Sequence, residues 1–185
     1  MNRKSFNMNH DDINPDATES HPATFDRETL LRQCDVRRVR RSGPGGQRRN
    51  KVETGVVLRH RPTGVDAEAS ERRSVIENQR VALLRLRVNL ALEIRRAVDD
   101  DAAPSALWRS RCPSGRISVN SEHWDFPALL AEALDSVFHF QMDVKSASGA
   151  LGCTASQLIK FVKIEPRAVS LVNARRVELG MHQLK

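Results

Sequence analysis

The sequence predicts an α+β protein, in which a small α/β unit is followed by a mostly helical C-terminal region. Two observations carry this prediction. Three short strand-like segments occur between residues 34 and 69, and a long segment with helical spacing of apolar residues follows them. After residue 125, apolar residues again recur with helical spacing, interrupted by short turns. The 185 residues suffice for one ordinary domain or two small ones.

The strand predictions rest on alternating side chains and on turn residues. Residues 34–40 and 55–60 are rich in Val and Arg and are predicted to be strands. Residues 61–64, Arg-Pro-Thr-Gly, place proline second and glycine fourth, as a β-turn prefers. Residues 65–69 alternate apolar and acidic side chains. The stretch 55–69 is therefore predicted to form a β-hairpin.

Two helices are predicted in the first half of the chain. A short helix spans residues 24–33, with Thr24 as its N-cap. A long helix runs from about Ser74 to Val98, and Ser74 and Glu77 have the spacing of a capping box. One apolar stripe of this helix is predicted to pack on the sheet, and its members are Ile76, Leu83, Leu90 and Ile94.

The C-terminal region is predicted to be helical after an irregular start. Residues 105–125 lack clear periodicity, with a short strand as one option at residues 116–120. Residues 126–140 are predicted to form an apolar helix, and residues 168–179 form the last helix, which ends at a glycine.

Residues 144–163 have the pattern of a helix-turn-helix. A helix of small residues leads to a turn at Gly152 and Cys153, and an amphipathic helix begins near Thr154. A helix-turn-helix would imply nucleic-acid binding, and three packed helices without such a role are an equally weighted alternative.

These elements divide the chain into four stretches. Residues 1–23 are polar and are predicted to be a disordered tail. Residues 24–98 hold the sheet and the long helix. Residues 99–112 form a linker that begins with three aspartates, and residues 113–185 form a helical module.

The net charge of +7 is unevenly distributed along the chain. Residues 26–96 carry a net charge of +9, whereas residues 97–185 are neutral overall. Residues 37–51 contain no acid and seven cations: Arg37, Arg38, Arg40, Arg41, Arg48, Arg49 and Lys51. A solvated face is the ordinary explanation of such a block, but its concentration around a glycine loop favours binding to a polyanion such as nucleic acid.

Several other classes of protein fit the sequence poorly. No apolar run approaches the roughly 18 residues that span a bilayer, and the N-terminal residues lack the features of a signal or transit peptide. We therefore expect a cytoplasmic protein without membrane association. Cys34, Cys112 and Cys153 include no CxxC pair and are expected to be reduced thiols. No metal or cofactor is expected, and nothing demands more than a monomer.

Residues 42–51, Ser-Gly-Pro-Gly-Gly-Gln-Arg-Arg-Asn-Lys, suggest catalysis. Their spacing fits neither a P-loop nor a dinucleotide-binding fingerprint. Gly45 and Gly46 have no Cβ, so the backbone can approach a ligand in a crowded pocket. The amide of Gln47 cannot act as a general base, but it can position a water while a backbone N–H donates to an oxyanion. This chemistry suits hydrolysis of an activated ester, and a structural turn between strands is the alternative.

The loop and its surroundings resemble the catalytic domain of class I peptide chain release factors. Residues 42–64 contain GPGGQ, an Asn-Lys pair and a PTG turn. The following helix contains R-S-x-x-x-N at Arg73, Ser74 and Asn78. The resemblance covers about residues 30–97 and points to the stand-alone, codon-independent members that rescue stalled ribosomes. It implies a GGQ domain of release-factor catalytic type.

The resemblance also implies specific roles. In this family the GGQ loop enters the peptidyl transferase centre of the large ribosomal subunit, where water cleaves the ester of peptidyl-tRNA. Gly45 and Gly46 would permit the loop conformation, and Gln47 would coordinate the water and donate its backbone N–H. The seven cations of residues 37–51 become candidates for contacts with ribosomal RNA. Gln47 becomes a candidate for N-methylation by a dedicated glutamine methyltransferase.

The chain departs from the family pattern in two places. Decoding release factors carry a large stop-codon-reading domain before the catalytic one, whereas about 25 residues precede it here, so codon-independent action is expected. Known rescue members end in a long basic tail, whereas residues 97–185 are neutral and largely helical. Two alternatives stay open, namely a non-catalytic ribosomal RNA-binding factor with the same fold and DNA binding through residues 144–163.

Overall fold

The structure, a computed structural model, describes residues 20–40, 53–99 and 102–184. In this part of the chain, three antiparallel strands form one sheet in the order β1-β2-β3. The strands are β1 (Cys34–Val39), β2 (Gly55–His60) and β3 (Asp66–Ala69). The helices are α1 (Arg27–Arg32), α2 (Val75–Glu93), α3 (Ala106–Arg111), α4 (Phe126–His139), α5 (Val144–Ala150), α6 (Ala155–Val162) and α7 (Pro166–Glu178). The predicted α+β class is confirmed.

The predicted strands and hairpin are confirmed, because local turn chemistry determines them. The Gly64 N–H donates to the His60 carbonyl (2.8 Å), and the His60 N–H donates to the Val65 carbonyl (2.8 Å). Gly64 has a φ of +74°, a left-handed conformation that glycine adopts without strain. The turn therefore reverses the chain and sets β3 beside β2.

Helix α2 lies between the sheet and α4, so it is buried on more than one side. Leu83 and Leu90 are buried as predicted, but Ile76, in the first turn, remains 78% exposed. Ile76 was assigned to the sheet-facing stripe, and that assignment is wrong. A single-stripe prediction fails here because the buried residues of α2 surround the helix instead of following one line.

Helix α2 begins as predicted and ends earlier. The Glu77 N–H donates to the Ser74 side chain at the N-cap (3.4 Å). The helix stops at Glu93 instead of Val98, and Ile94 adopts an extended conformation. Beyond it, the Arg96 N–H donates to the carboxylate of Asp135 on α4 (3.1 Å). Tertiary bonds have replaced the helical ones at this end.

Two buried arginines join α2 to the rest of the molecule. The Arg87 Nε donates to the Ala23 carbonyl (2.9 Å), and its Nη1 donates to the Trp124 carbonyl. The guanidinium also lies 4.0 Å from the centre of the Trp124 ring. Arg95 forms a buried ion pair with Asp135 on α4 (3.0 Å).

The N-terminal boundary of the folded body differs from the prediction. Residues Pro22–Thr24 form a 3-10 turn, and Ala23 is fully buried. His21 is also buried, so residues 21–23 of the predicted tail (1–23) belong to the folded body, and residues 1–19 lie outside the described residues. Asp26, and not Thr24, caps α1, because its side chain accepts the Thr29 N–H (2.9 Å).

The predicted linker and the irregular stretch contain a helix that the sequence prediction missed. Helix α3 lies within residues 99–112 and buries Trp108, whose Nε1 donates to the Leu151 carbonyl (2.7 Å). Residues 116–120, predicted as an optional strand, pair with no strand in the described part of the chain. This stretch packs around one large aromatic side chain, Trp108, and a helix of six residues is too short to show a periodic pattern of apolar residues.

The C-terminal helices follow the prediction closely. Helices α5 and α6 flank a turn in which Gly152 has a φ of +66°, and Thr154 caps α6. The Phe161 ring on α6 meets Trp108 and Phe126 edge to face, with centroids 5.8 and 5.7 Å apart. These aromatic residues belong to the same hydrophobic core as the sheet and α2. The core thus crosses the predicted boundary between the two halves.

Candidate active site

The predicted catalytic loop connects β1 to β2. The last described pair of these strands joins Val39 to Gly55. Residues 41–52 lie outside the described residues, and with them Arg41, Gly45, Gly46, Gln47, Arg48, Arg49 and Lys51. Their predicted roles stay predictions. The structure does describe the residues from which the loop starts and to which it returns, which we call the loop base: Val39, Arg40, Glu53, Thr54 and Gly55.

Gly55 allows the loop base to close tightly. A Cβ at this position would lie 2.8 Å from Val39 Cγ2, 2.9 Å from the Val39 carbonyl oxygen and 3.2 Å from Ser70 Cβ. Two of these distances are shorter than real Cβ contacts, and one of them involves backbone. Any larger residue would push β1 and β2 apart where the loop begins. Gly55 thus keeps the two ends of the loop together.

Asn78 on α2 fixes the returning end of the loop. This fully buried side chain donates from Nδ2 to the carbonyls of Thr54 (2.7 Å) and Arg72 (2.9 Å). Its Oδ1 accepts the Arg72 N–H (2.8 Å). One amide therefore ties the loop base to the segment before α2, and all of its partners are backbone groups. Replacement would leave buried backbone groups unpaired.

A charged pair holds the same segment from the other side. Arg85 on α2 forms an ion pair with Glu71 and donates from Nη1 to the Glu68 carbonyl (2.8 Å). The Ser70 N–H donates to the Glu71 carboxylate (2.7 Å). Burial raises the pKa of Glu71, but hydrogen bonds from backbone amides and Arg85 outweigh it and hold that pKa below its ordinary value. Glu71 therefore remains ionised at neutral pH and keeps its bonds to the Ser70 N–H and to Arg85.

Comparison with known proteins shows which family has this sequence pattern. The RF-1 domain matches residues 29–120, which include the sheet, the loop, α2 and α3. The chain belongs to the class I peptide chain release factor family. Helices α4 to α7 lie outside the matched domain.

Individual relatives agree with this assignment. The chain is 46% identical over 56 residues to the chloroplastic peptide chain release factor PrfB1 of Arabidopsis thaliana, covering 30% of this chain and 12% of that protein. It is 49% identical over 49 residues to an uncharacterized mitochondrial release factor-like protein of Saccharomyces cerevisiae, covering 26% and 32%. Peptide chain release factor 1 of Streptomyces coelicolor is 30% identical over 124 residues, covering 59% and 35%. The matches thus span about a third or less of each relative. No solved structure matches the chain.

The basic residues that the structure describes in this release-factor domain do not form one face. Arg37 pairs with Val57 and Arg38 with Val56 across the strands, and paired residues share a face of the sheet. Val56 is buried against α2, so Arg38 lies on the helix side and Arg37 on the opposite side. Both are exposed on the edge strand. A partner that contacts both arginines must therefore reach around this edge.

Arg40 marks the point where the chain enters the loop. Its guanidinium lies 3.6 Å from the carboxylate of Glu53, and both side chains are more than half exposed. The pair bridges the outgoing and returning ends of the loop without burying either charge. In a solvated setting such a pair contributes little stability, so Arg40 can exchange Glu53 for a phosphate at small cost.

Sequence reasoning found the loop but not the roles of Gly55 and Asn78. Gly55 was part of a predicted strand, and Asn78 appeared only as the last residue of R-S-x-x-x-N. The signal for Asn78 is its helical spacing from Val75 and Ala82, which puts a short amide on an apolar face where it needs backbone partners.

The described residues add two negative findings. None of their helices combines the length and apolar character that a membrane span requires. No group of three metal-binding side chains comes together among residues 20–40, 53–99 and 102–184.

Proposed function

We propose that this protein hydrolyses the ester bond of peptidyl-tRNA in the peptidyl transferase centre, independently of a stop codon, and so releases stalled ribosomes. One observation carries the proposal. The GPGGQ sequence lies in the connection between β1 and β2 of an RF-1 domain, and Gly55 and Asn78 hold the base of that connection in place. A fixed base reduces the range of positions that the ends of a glycine loop can adopt, so less conformational freedom is lost when the loop binds its target.

In the proposed reaction, the oxygen of a water bonds to the carbonyl carbon of the ester, the bond from that carbon to the 3′ oxygen of the tRNA breaks, and a proton from the water ends on the departing 3′ hydroxyl. Gln47 positions the water, and its backbone N–H donates to the oxygen that gains charge in the transition state. Gly45 and Gly46 leave room for the substrate because they lack Cβ atoms. The ester is already activated, so orientation and a preorganised donor supply the catalysis, and no general base is needed.

Binding to the ribosome is assigned to the positive charge around the loop. Residues 26–96 carry a net charge of +9, and Arg37, Arg38 and Arg40 are exposed at the described end of the block. Ribosomal RNA is a dense polyanion, and phosphate contacts release counterions on binding. The affinity for the large subunit should therefore fall steeply as the salt concentration rises.

The decisive experiment measures release of labelled nascent peptide from stalled ribosomes. Three proteins are compared: the wild type, Gln47→Ala and Gln183→Ala, the last an exposed glutamine outside the RF-1 domain. We expect Gln47→Ala to release peptide about 10²–10³-fold more slowly, the cost of one preorganised donor. Gln183→Ala should match the wild type. Ribosome binding should be equal for all three.

Codon independence is tested with the same ribosomes carrying a stop codon, a sense codon or no codon in the A site. Equal release from all three complexes is the expected result, and release restricted to the stop codon would overturn the rescue assignment. If the wild type binds the large subunit but releases no peptide, the non-catalytic ribosomal RNA-binding role replaces the hydrolase.

We also propose that the protein acts as a cytoplasmic monomer and that a glutamine methyltransferase modifies Gln47. Two relatives carry chloroplastic and mitochondrial names, so imaging of a tagged chain is the appropriate test of location. Mass spectrometry of the peptide containing Gln47 tests the modification, and light scattering tests the oligomeric state.

A further inference from the structure

The C-terminal half contains an open groove of about 590 Å³, far along the chain from the predicted catalytic loop. One wall is the extended segment 117–120, and the other is α6 with the two residues that follow it. The volume lies within the range of about 300–1,000 Å³ that small-molecule sites occupy. We call this feature the α6 groove.

Both walls of the α6 groove are held in place. The Ser118 N–H donates to the Arg111 carbonyl (3.1 Å), and the Asn120 side chain accepts the Glu122 N–H (2.9 Å). On the opposite wall, Phe161 is buried and packs edge to face against Trp108 and Phe126. The groove is therefore preformed, and a ligand would not have to order it.

The charge of the α6 groove is positive. Arg111, Lys160 and Lys163 line it, and none of the described lining residues is Asp or Glu. Asp125 holds the Arg111 guanidinium from outside the lining, through Nη2 (2.6 Å) and Nε (2.9 Å). In the described part of the chain, no hydrogen bond or ion pair engages the exposed Lys160 ammonium. The groove thus concentrates cations in a region whose overall charge is zero.

Five of the remaining lining residues offer apolar surface or amides. Ile117, Val119 and Ile164 offer apolar side chains, while Asn120 and Gln157 offer amide groups. Cations beside an apolar surface suit an unpaired nucleotide, because its phosphate needs positive charge and the aliphatic side chains can cover the apolar face of its base. Amides can bond the exposed edge of such a base. An inorganic anion would leave the apolar wall unused.

The shape disfavours a duplex. A helix that reads duplex nucleic acid must protrude into the major groove. Helix α6 is instead one wall of a concave groove, with the segment 117–120 standing beside Gln157 and Lys160. The predicted DNA binding through residues 144–163 is therefore less compatible with this geometry than binding of a single strand.

We propose that the α6 groove binds single-stranded RNA, as a second RNA site separate from the basic block of residues 37–51. The choice of RNA rests on the proposed function, because ribosomal RNA and tRNA are then the strands within reach. Lys160 contacts a phosphate, and the base lies against Ile117 and Val119. The site would fix the C-terminal half on the ribosome while the GGQ loop acts elsewhere.

The test uses the full chain and a single-stranded RNA of about eight nucleotides containing 4-thiouridine, with crosslinked peptides mapped by mass spectrometry. Crosslinks on residues 117–120 or 157–164 report the α6 groove, and those on residues 37–51 report the basic block. Lys160→Gln is compared with Lys145→Gln, an exposed lysine on α5 that does not line the groove.

We expect groove crosslinks in the wild type, a loss of about tenfold in Lys160→Gln as for one charge-assisted contact, and no loss in Lys145→Gln. Crosslinks to the basic block should be unchanged in both variants. Crosslinks confined to residues 37–51, or groove crosslinks indifferent to Lys160→Gln, would overturn the proposal. So would stronger competition by duplex or by single-stranded DNA of the same sequence. Because crosslinking does not involve peptide release, failure of the hydrolase proposal would be seen separately.

Discussion

The loop base and the C-terminal core are built from different interactions. At the loop base, Asn78 makes three hydrogen bonds to backbone groups, and Gly55 contributes the absence of a side chain. In the C-terminal core, Trp108, Phe126 and Phe161 meet edge to face. Hydrogen bonds are directional, whereas apolar burial is not. The first set of interactions fixes where a loop starts, and the second supplies free energy of folding.

This difference predicts that stability and activity can be changed separately. Substitutions in the aromatic core should lower the free energy of unfolding and leave the release rate of each folded molecule intact. Substitutions of Gly55 or Asn78, the two residues that hold the loop base, should lower both. The predictions below test this separation.

The largest effect is expected for Trp108→Ala. Trp108 is 1% exposed and bonds the Leu151 carbonyl, so its removal leaves a large cavity and an unpaired acceptor. The free energy of unfolding should fall by about 3–5 kcal/mol, as measured by urea denaturation. Leu179→Ala, at an exposed position of the last turn, serves as the control with little change. A lower release rate per folded molecule would contradict the separation.

Asn78→Ala should lower the free energy of unfolding by about 2–3 kcal/mol, because the buried carbonyls of Thr54 and Arg72 lose their donor. Unlike Trp108→Ala, it should also slow peptide release at least tenfold, since the loop would start from a mobile base. Release is measured at a temperature where the variant is folded. Its neighbour on α2, Gln79→Ala, is the matched control. If both Asn78→Ala and Trp108→Ala release peptide at the wild-type rate once folded, the loop base does not position the loop.

The contact between the N-terminal turn and the end of α2, which lies outside both regions, should respond to pH through His21. The Ala23 N–H donates to Nδ1 (3.0 Å), and Nε2 meets the Ile94 carbonyl (3.2 Å), an arrangement that requires the neutral ring. Burial is the main cause that lowers the pKa of His21 to about 3, and the charges of Arg95 and Arg96 contribute. The folded-state pKa is depressed, so this stability is present above the unfolded pKa of about 6.5 and is lost as pH falls.

Between pH 6.5 and 5, titration of His21 should lower the free energy of unfolding by about 1.6 kcal/mol. Denaturation curves of the wild type and His21→Gln at both pH values provide the measurement. His21→Gln cannot titrate, so its stability should depend less on pH by that amount. Equal pH dependence of the two proteins would place the titration at other groups.

The smallest effect is expected for Arg40→Gln. The pair with Glu53 is half exposed and 3.6 Å long, so its loss should change the free energy of unfolding by less than about 0.5 kcal/mol. Ribosome binding should nevertheless become less salt-dependent, because one phosphate contact is lost. Binding measured at several salt concentrations tests this, with Glu53→Gln as the partner control. An unchanged salt slope would remove Arg40 from the binding surface.

The parts of the fold that follow local rules could be predicted from the sequence. The hairpin of β2 and β3 rests on a Pro-Thr-Gly turn, and α6 rests on the cap of Thr154. Helix α3 could not be predicted in this way, because its six residues form around one buried tryptophan. The early end of α2 depends equally on partners distant in sequence, namely His21 and Asp135.

The candidate site divides along the same line. The composition of residues 42–51 is enough, from the sequence alone, to suggest a catalytic loop. The importance of Gly55 follows only from its register against Val39, and that of Asn78 from the carbonyl of Thr54. Strand register and long-range hydrogen bonds are properties of the folded chain, so no local sequence pattern predicts them.

Arg87 sets an order of events during synthesis. Its guanidinium needs the carbonyl of Ala23, which is made before it, and that of Trp124, which is made 37 residues after Arg87 itself. Until Trp124 has left the ribosomal exit tunnel, Arg87 lacks one carbonyl partner and the aromatic ring beside its guanidinium, although the turn at Ala23 can already pack on α2. The strands that carry the GGQ loop are complete long before that moment. A newly made molecule therefore holds its loop base through Gly55 and Asn78 before it can finish burying Arg87, so the support of the loop precedes completion of the core.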